Sequence, residues 1–249
     1  MSECCIKFSE PVSRGTISQL VIEYMKYILY YRGQFPLPLD QLILAIEKRD
    51  KSAAQAEIDE HPVYYDEGPR PNTSKDRTKR IFEDTINSFS NFFNQLSTLL
   101  QSKDVLEVVM NLGSNMMNPK ELHRITLPTR PCSDSDCRQN SAPFHRCRLQ
   151  FFKTIMHENL LSDFSSDSLL PISVLLLLRT GTEIMDFMEQ KRFYAPPMKG
   201  KQVTVRFDDS CNHLVIDDDS TESNSSGLWV KLKHDLKGFK AYKSFSNCS

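Results

Sequence analysis

A chain of 249 residues is long enough to bury a hydrophobic core without disulfide or metal staples. Apolar residues make up 39%, which fits a core carrying polar insertions, and 31 Lys and Arg against 32 Asp and Glu leave no global field favouring nucleic acid or an anionic membrane. The seven cysteines lack the dense spacing of a secreted disulfide scaffold, and the longest apolar stretch, Leu169 to Leu178, is interrupted by Pro171 and too short for a bilayer, so the expectation is a soluble nuclear or cytosolic protein with reduced thiols.

The first predicted element is a helix over Thr16 to Arg32, where Ile17, Leu20, Val21, Tyr24, Met25, Ile28 and Leu29 recur at helical spacing behind a Thr16-x-x-Gln19 capping box. Gly33 and Pro36 stop it, and the prolines of FPLPLDQL demand a structured corner. Residues 50–75 shift to Asp, Glu, Pro, Lys and Asn and read as a mobile insertion. Phe82, Ile86, Phe89, Phe93, Leu96 and Leu100 then mark a long helix with its stripe toward a core. Val105 to Leu112 reads as a buried strand and Ile125 to Leu127 as another, followed by a polar loop over 128–143. A helix is predicted from about Arg146 to Leu161, with Phe152, Ile155, Met156 and Leu160 on one side and Phe151 elsewhere. The remainder reads as strands at Ile172 to Leu178, Val203 to Phe207, His213 to Ile216 and Leu228 to Leu232, with an acidic loop over 217–227. Helices early and antiparallel strands late, without βαβ alternation, indicate an α+β fold.

No phosphate-binding glycine loop, H-E-x-x-H pair or G-x-S-x-G elbow occurs, and the six histidines are dispersed, so the common enzyme classes and a cofactor are disfavoured. Cys132, Cys137, His145 and Cys147 carry zinc-type donors, but at irregular spacing, and an ordinary loop with reduced cysteines is the preferred reading over a metal site. The basic run SKDRTKR at 74–80 has no interleaved aromatics and reads as a solvated helix entrance, not a phosphate contact. Tyrosine is amphipathic and enriched at interfaces, so Tyr24, Tyr27, Tyr30 and Tyr31 stand out; Tyr24 lies on the buried stripe, and Tyr31 at the exposed end is the candidate contact.

Residues 23–42, EYMKYILYYRGQFPLPLDQL, resemble the first helix and proline corner of the comet family of Mad-two-binding proteins, with PLPLDQL the most specific part. NLGSNMMNPKEL at 111–122, RLQFFKTIM at 148–156 and the ending LWVKLKHDLKGFK are similar to the same family in the same order. The resemblance implies one HORMA-like domain with helices on a mainly antiparallel sheet and a C-terminal safety belt. It implies a non-catalytic adaptor in spindle-checkpoint silencing, which binds closed Mad-two (Mad2), alone or in the mitotic checkpoint complex, and presents it to a Pch-two-type hexameric AAA+ ATPase for conversion to the open form. It implies a nuclear and cytoplasmic location, with spindle or kinetochore association in mitosis. Carried over by position, Phe152 matches the family's interface phenylalanine, with Met156 beside it, and Tyr31 takes the place of an interface glutamine. Lys191 matches the lysine of an ATPase-contacting Pro-Lys pair, whose proline is replaced by Gln190. The alternatives from the same residues are a HORMA-type scaffold holding a partner peptide in its belt, and a zinc-stabilised module.

Overall fold

The computed structural model describes residues 2–59, 74–102, 105–128, 143–164, 169–181, 186–197, 200–208, 227–233 and 236–239. Helix α1 spans Arg14–Tyr31, and its N-cap is Ser13, whose hydroxyl accepts the Thr16 amide at 3.2 Å while its carbonyl accepts that of Ile17 at 3.0 Å. The predicted capping box at Thr16 is therefore one turn too late. Gly15 weakens local propensity there, and the Ser13 cap together with burial of Ile17 and Leu20 overrides it. At the other end Gly33 adopts a left-handed φ of 65°, with Gln34 N donating to Leu29 O at 2.8 Å, the six-to-one bond of a Schellman stop.

Helix α2 covers Leu39–Asp59 and starts where the prolines end, the Pro38 carbonyl accepting the amides of Gln41 and Leu42. Helix α3 covers Ser74–Ser102. The segment read as mobile over 50–75 is thus helical at both ends, in α2 as far as Asp59 and in α3 from Ser74; 60–73 lie outside the described residues. The predicted stripe of α3 is buried from Phe82 to Leu100, joined by Phe92 and Leu99. Phe35, from the proline corner, meets Phe89 edge-on at 4.7 Å. The basic run forms the first turns of α3.

The strands are β1 (Ser2–Ile6), β2 (Val105–Leu112), β3 (Glu121–Thr126), β4 (Ser173–Thr180), β5 (Met188–Gln190), β6 (Lys201–Phe207), β7 (Leu228–Leu232) and β8 (Leu236–Lys237). Helix α4, Phe144–His157, lies between β3 and β4 in the chain, and a 3-10 turn follows at Ser162–Phe164. The described strands form one sheet in the order β1-β6-β3-β2-β4-β7-β5, with β8 also on β4. Only β6 pairs in parallel, with β1 and β3; the other pairings are antiparallel. The fold is α+β with a mainly antiparallel sheet, as the late strands predicted.

Alternation along the strands separates two faces. Val108, Met110 and Leu112 of β2, Val174, Leu176 and Leu178 of β4, and Val203 and Val205 of β6 join the core beneath α1, α3 and α4. Val109, Leu122 and Leu177 face the opposite way and are covered by Tyr194, from the segment that leaves β5. On that back face Glu107, 1% exposed, is held by Arg124, whose Nη2 donates at 3.2 Å, with the Arg179 guanidinium 3.6 Å away. Beyond β7 and β8 the chain reaches Gln34, whose carbonyl accepts the Phe239 amide at 2.9 Å. Strands β1, β5 and β8 are absent from the sequence prediction because β5 and β8 have only two or three residues and β1, SECCI, has only Ile6 of the β-branched and aromatic residues that mark a strand; long-range pairing makes them strands. The strand predicted at His213 to Ile216 and the loop over 217–226 lie outside the described residues, as do 129–142.

Candidate protein interaction site

Helix α4 is seated by Cys147, Phe151 and Ile155, spaced four residues apart and all buried. Phe151 stacks on Phe207 of β6 at 5.6 Å and 8°, and meets Tyr24 of α1 edge-on at 6.1 Å. The predicted grouping of Phe152 with Ile155 and Met156 on one side, with Phe151 elsewhere, is corrected here: Phe151 is buried with Ile155, while Phe152 stays half-buried at the margin beside the exposed Met156. Cys147 enters the main core only if Phe151, one helical turn on, points with it, and that turns Phe152 roughly 100° away.

Phe152 is half-buried, and its ring packs edge-on against Tyr27 at 5.6 Å. Tyr27 stacks in turn on Tyr31 at 5.8 Å and 25°. Two sequence candidates 121 positions apart, Tyr31 and Phe152, are therefore joined across the α1–α4 seam through Tyr27. Met156, 60% exposed, lies one turn beyond Phe152, and Leu149, 67% exposed, one turn before it. Sequence reasoning missed Leu149 and the bridging role of Tyr27; the spacing Leu149-x2-Phe152-x3-Met156 is the signal that contains the former. Arg148 donates to Glu23 at 3.1 Å and Gln150 to the Lys7 carbonyl at 2.7 Å, so α4 is also tied down by polar contacts at its margins.

Beneath the end of α1 lies a closed polar cluster. Arg32, next to Tyr31 and 5% exposed, donates from Nε to Glu121 Oε2 at 2.9 Å and from Nη2 to Oε1 at 2.6 Å, and its Nη1 donates to the Phe164 carbonyl. The Tyr24 hydroxyl and His123 Nδ1 are 3.2 Å apart. His123 Nε2 stands 3.9 Å from Glu121 Oε2, too far for a hydrogen bond. Burial pushes the His123 pKa down, favouring the neutral ring. Burial works against the Glu121 carboxylate, but the Arg32 guanidinium, hydrogen-bonded to both of its oxygens, outweighs it and holds its pKa below the ordinary value. Each of these titratable groups is nearly inaccessible. Their effect is to fix the end of α1.

Gln190 is the last residue of β5, paired with Val230, at the sheet edge opposite β1. Lys191 follows it, its amide donating to the Trp229 carbonyl at 2.8 Å and its Nζ pairing with Glu189. Helix α4 packs on β1 and β6, so the Phe152 and Lys191 surfaces stand at opposite ends of the sheet, on the order of 25 Å apart at one strand spacing per step. Of the zinc-type donors, Cys147 is buried in the core with burial raising its pKa, while His145 is exposed two residues earlier; Cys132 and Cys137 lie outside the described residues. No metal-holding cluster occurs among the described residues, and none of their helices is long and apolar enough to cross a membrane.

A family profile described as p31comet, with Mad1 and Cdc20-bound Mad2 binding, matches residues 2–241. The chain is 22% identical over 244 residues to the human MAD2L1-binding protein, covering 94% of this chain and 79% of that one. Against the mouse MAD2L1-binding protein it is 26% identical over 236 residues, covering 94% and 78%. The match runs from β1 through the segment beyond β8 and takes in both the α1–α4 seam and the β5 edge, and on that ground the chain belongs to the p31comet family.

Proposed function

We propose that this protein is a non-catalytic adaptor that binds the closed form of Mad2 through the seam of α1 and α4. The observation that carries the reading is the half-buried Phe152 at the centre of a continuous apolar surface made with Tyr27, Tyr31, Leu149 and Met156. A central aromatic flanked by residues that exclude water is the composition of an interface hot spot, and the seam is supported from below by the Arg32–Glu121 pair. In this reading the adaptor works in the nucleus and cytoplasm on closed Mad2, free or in the mitotic checkpoint complex. Its Lys191 end presents Mad2 to a Pch-two-type hexameric AAA+ ATPase for conversion to the open form. The wide separation of the two surfaces supports simultaneous contact with both partners.

A HORMA-like arrangement is part of the same proposal, supported by β7 and β8 running along β4 to Gln34 as a C-terminal belt. The alternative, a scaffold that holds a partner peptide in that belt, rests on the same strands. One experiment separates the readings: titrating the chain with Mad2 locked closed and locked open. Conformer-selective binding abolished by Phe152→Ala supports the adaptor, and equal or absent binding to both forms rejects it.

A further inference from the structure

Three contacts set the register of α1 against α4. Arg148 donates to Glu23 at 3.1 Å, Phe151 meets Tyr24 edge-on at 6.1 Å, and Phe152 meets Tyr27 edge-on at 5.6 Å. A step of four along α1, from Glu23 to Tyr27, answers a step of four along α4, from Arg148 to Phe152. The two helices therefore advance side by side in one direction, a polar rung followed by an aromatic one. The next step on each helix is Tyr31 and Met156, both exposed, so the seam opens to solvent there and Tyr27 forms the last closed rung.

Tyr27 touches both sides of that opening. Its ring stacks on Tyr31 at 5.8 Å and 25° within α1 and stands edge-on to Phe152 across the seam. It is half-buried and packed against the main core, whereas Tyr31 is exposed. Phe152 has Phe151 on its core side, edge-on at 5.3 Å and 89°, and Tyr27 on the facing helix. Edge-to-face and stacked pairs favour particular ring directions beyond what burial of area requires, so Tyr27 bears on the direction of two rings at once. Its own hydroxyl makes no hydrogen bond among the described residues, and burial, with Tyr31 adding to it, pushes the phenol pKa up and keeps that group neutral. A side chain whose direction is set before binding has less freedom to lose on contact.

We infer that Tyr27 is a positioning residue for closed Mad2, which turns Phe152 and Tyr31 toward the partner and acts through those two rings. This rests on the reading that the seam is the Mad2 contact. The test is calorimetric titration of the full chain with Mad2 locked closed, beside thermal melts, for the wild type, Phe152→Ala, Tyr31→Ala, Tyr27→Ala, Tyr27→Phe and the double variant Tyr27→Ala with Phe152→Ala. Tyr27→Ala is expected to weaken binding by about tenfold, and Tyr27→Phe to stay within about twofold of the wild type because its ring contacts survive. The double variant is expected to weaken binding by clearly less than the product of the two single effects. Should Tyr27→Ala fail to fold, Tyr27→Leu keeps apolar bulk in the seam without the ring and carries the same expectations. Single effects that multiply in the double variant overturn the inference, since Tyr27 then acts independently of Phe152. A Tyr27→Phe as weak as Tyr27→Ala also overturns it, by making the hydroxyl a contact of its own. If Tyr27→Ala lowers the melting temperature and binds as the wild type does, Tyr27 serves the fold alone; the inference is rejected and the Mad2 reading stands. A wild type that does not bind closed Mad2, or Phe152→Ala and Tyr31→Ala variants that both bind normally, rejects the Mad2 reading and the inference with it.

Discussion

Adjacent phenylalanines on α4 have opposite duties, and their substitution separates them. Phe151 is 1% exposed between Tyr24 and Phe207, so Phe151→Ala is expected to lower stability by about 3–5 kcal/mol. Phe152→Ala loses a half-buried ring at the surface. It is expected to move the melting temperature far less, while weakening closed Mad2 by about tenfold or more; thermal melts beside a binding titration show whether the two effects part. The closed cluster under Tyr31 gives a pH prediction. His123 has its folded pKa below the ordinary 6.5, so the unfolded chain binds the extra proton and the contribution of His123 is present above that value and lost as pH falls through it. Glu121 also has a lowered pKa, and its contribution disappears only as pH falls below the ordinary 4.5. Melting temperature should therefore decline from about pH 6.5 and more steeply under about pH 4.5, with His123→Gln flattening the first decline. A wild-type profile that is level across both ranges contradicts this assignment.

The element most dependent on one small residue is the C-terminal run from β7 to Phe239. A Cβ at Gly238 would sit 2.4 Å from Gln34 Oε1 and 3.1 Å from Gln34 Cα, so the run lies against the corner only because Gly238 has no side chain. Gln34 is itself fixed, its Nε2 donating to the Arg32 carbonyl at 3.1 Å and its Oε1 accepting the Ile172 amide at 2.9 Å. Gly238→Val is expected to cost about 1–3 kcal/mol through overpacking and to speed hydrogen exchange of the Gly238 and Phe239 amides. Slow exchange in that variant means the segment has another way to pack. The elements also show how far pattern carries. Helix α3 and strand β2 are legible because each carries its apolar residues over many positions, whereas β8 has two residues and β1 mostly polar or small ones, and both exist through pairing with β4 and β6.

For the whole molecule, the separation of the two surfaces predicts separable functions. Lys191→Glu replaces a lysine paired with Glu189 by a second carboxylate beside it, which reverses local charge at a half-exposed position without opening the core. The expected result is normal closed Mad2 binding with slower ATPase-driven conversion in a reconstituted assay, a deficit that raised salt reproduces in the wild type. Conversion at the normal rate removes Lys191 from the contact. By itself the sequence determined the α+β class, the long amphipathic helices and the central buried strands, because those depend on local period and turn chemistry, while Phe152, Tyr31 and Met156 were named as candidates through the family resemblance of contiguous motifs. Only the tertiary structure decided that Phe151 goes inward and Phe152 stays at the margin, that Tyr27 joins Tyr31 to Phe152, and that Leu149 extends the surface. Each of these is settled by which neighbour already fills the space beside a residue, and those neighbours come from strands and helices far away in the chain.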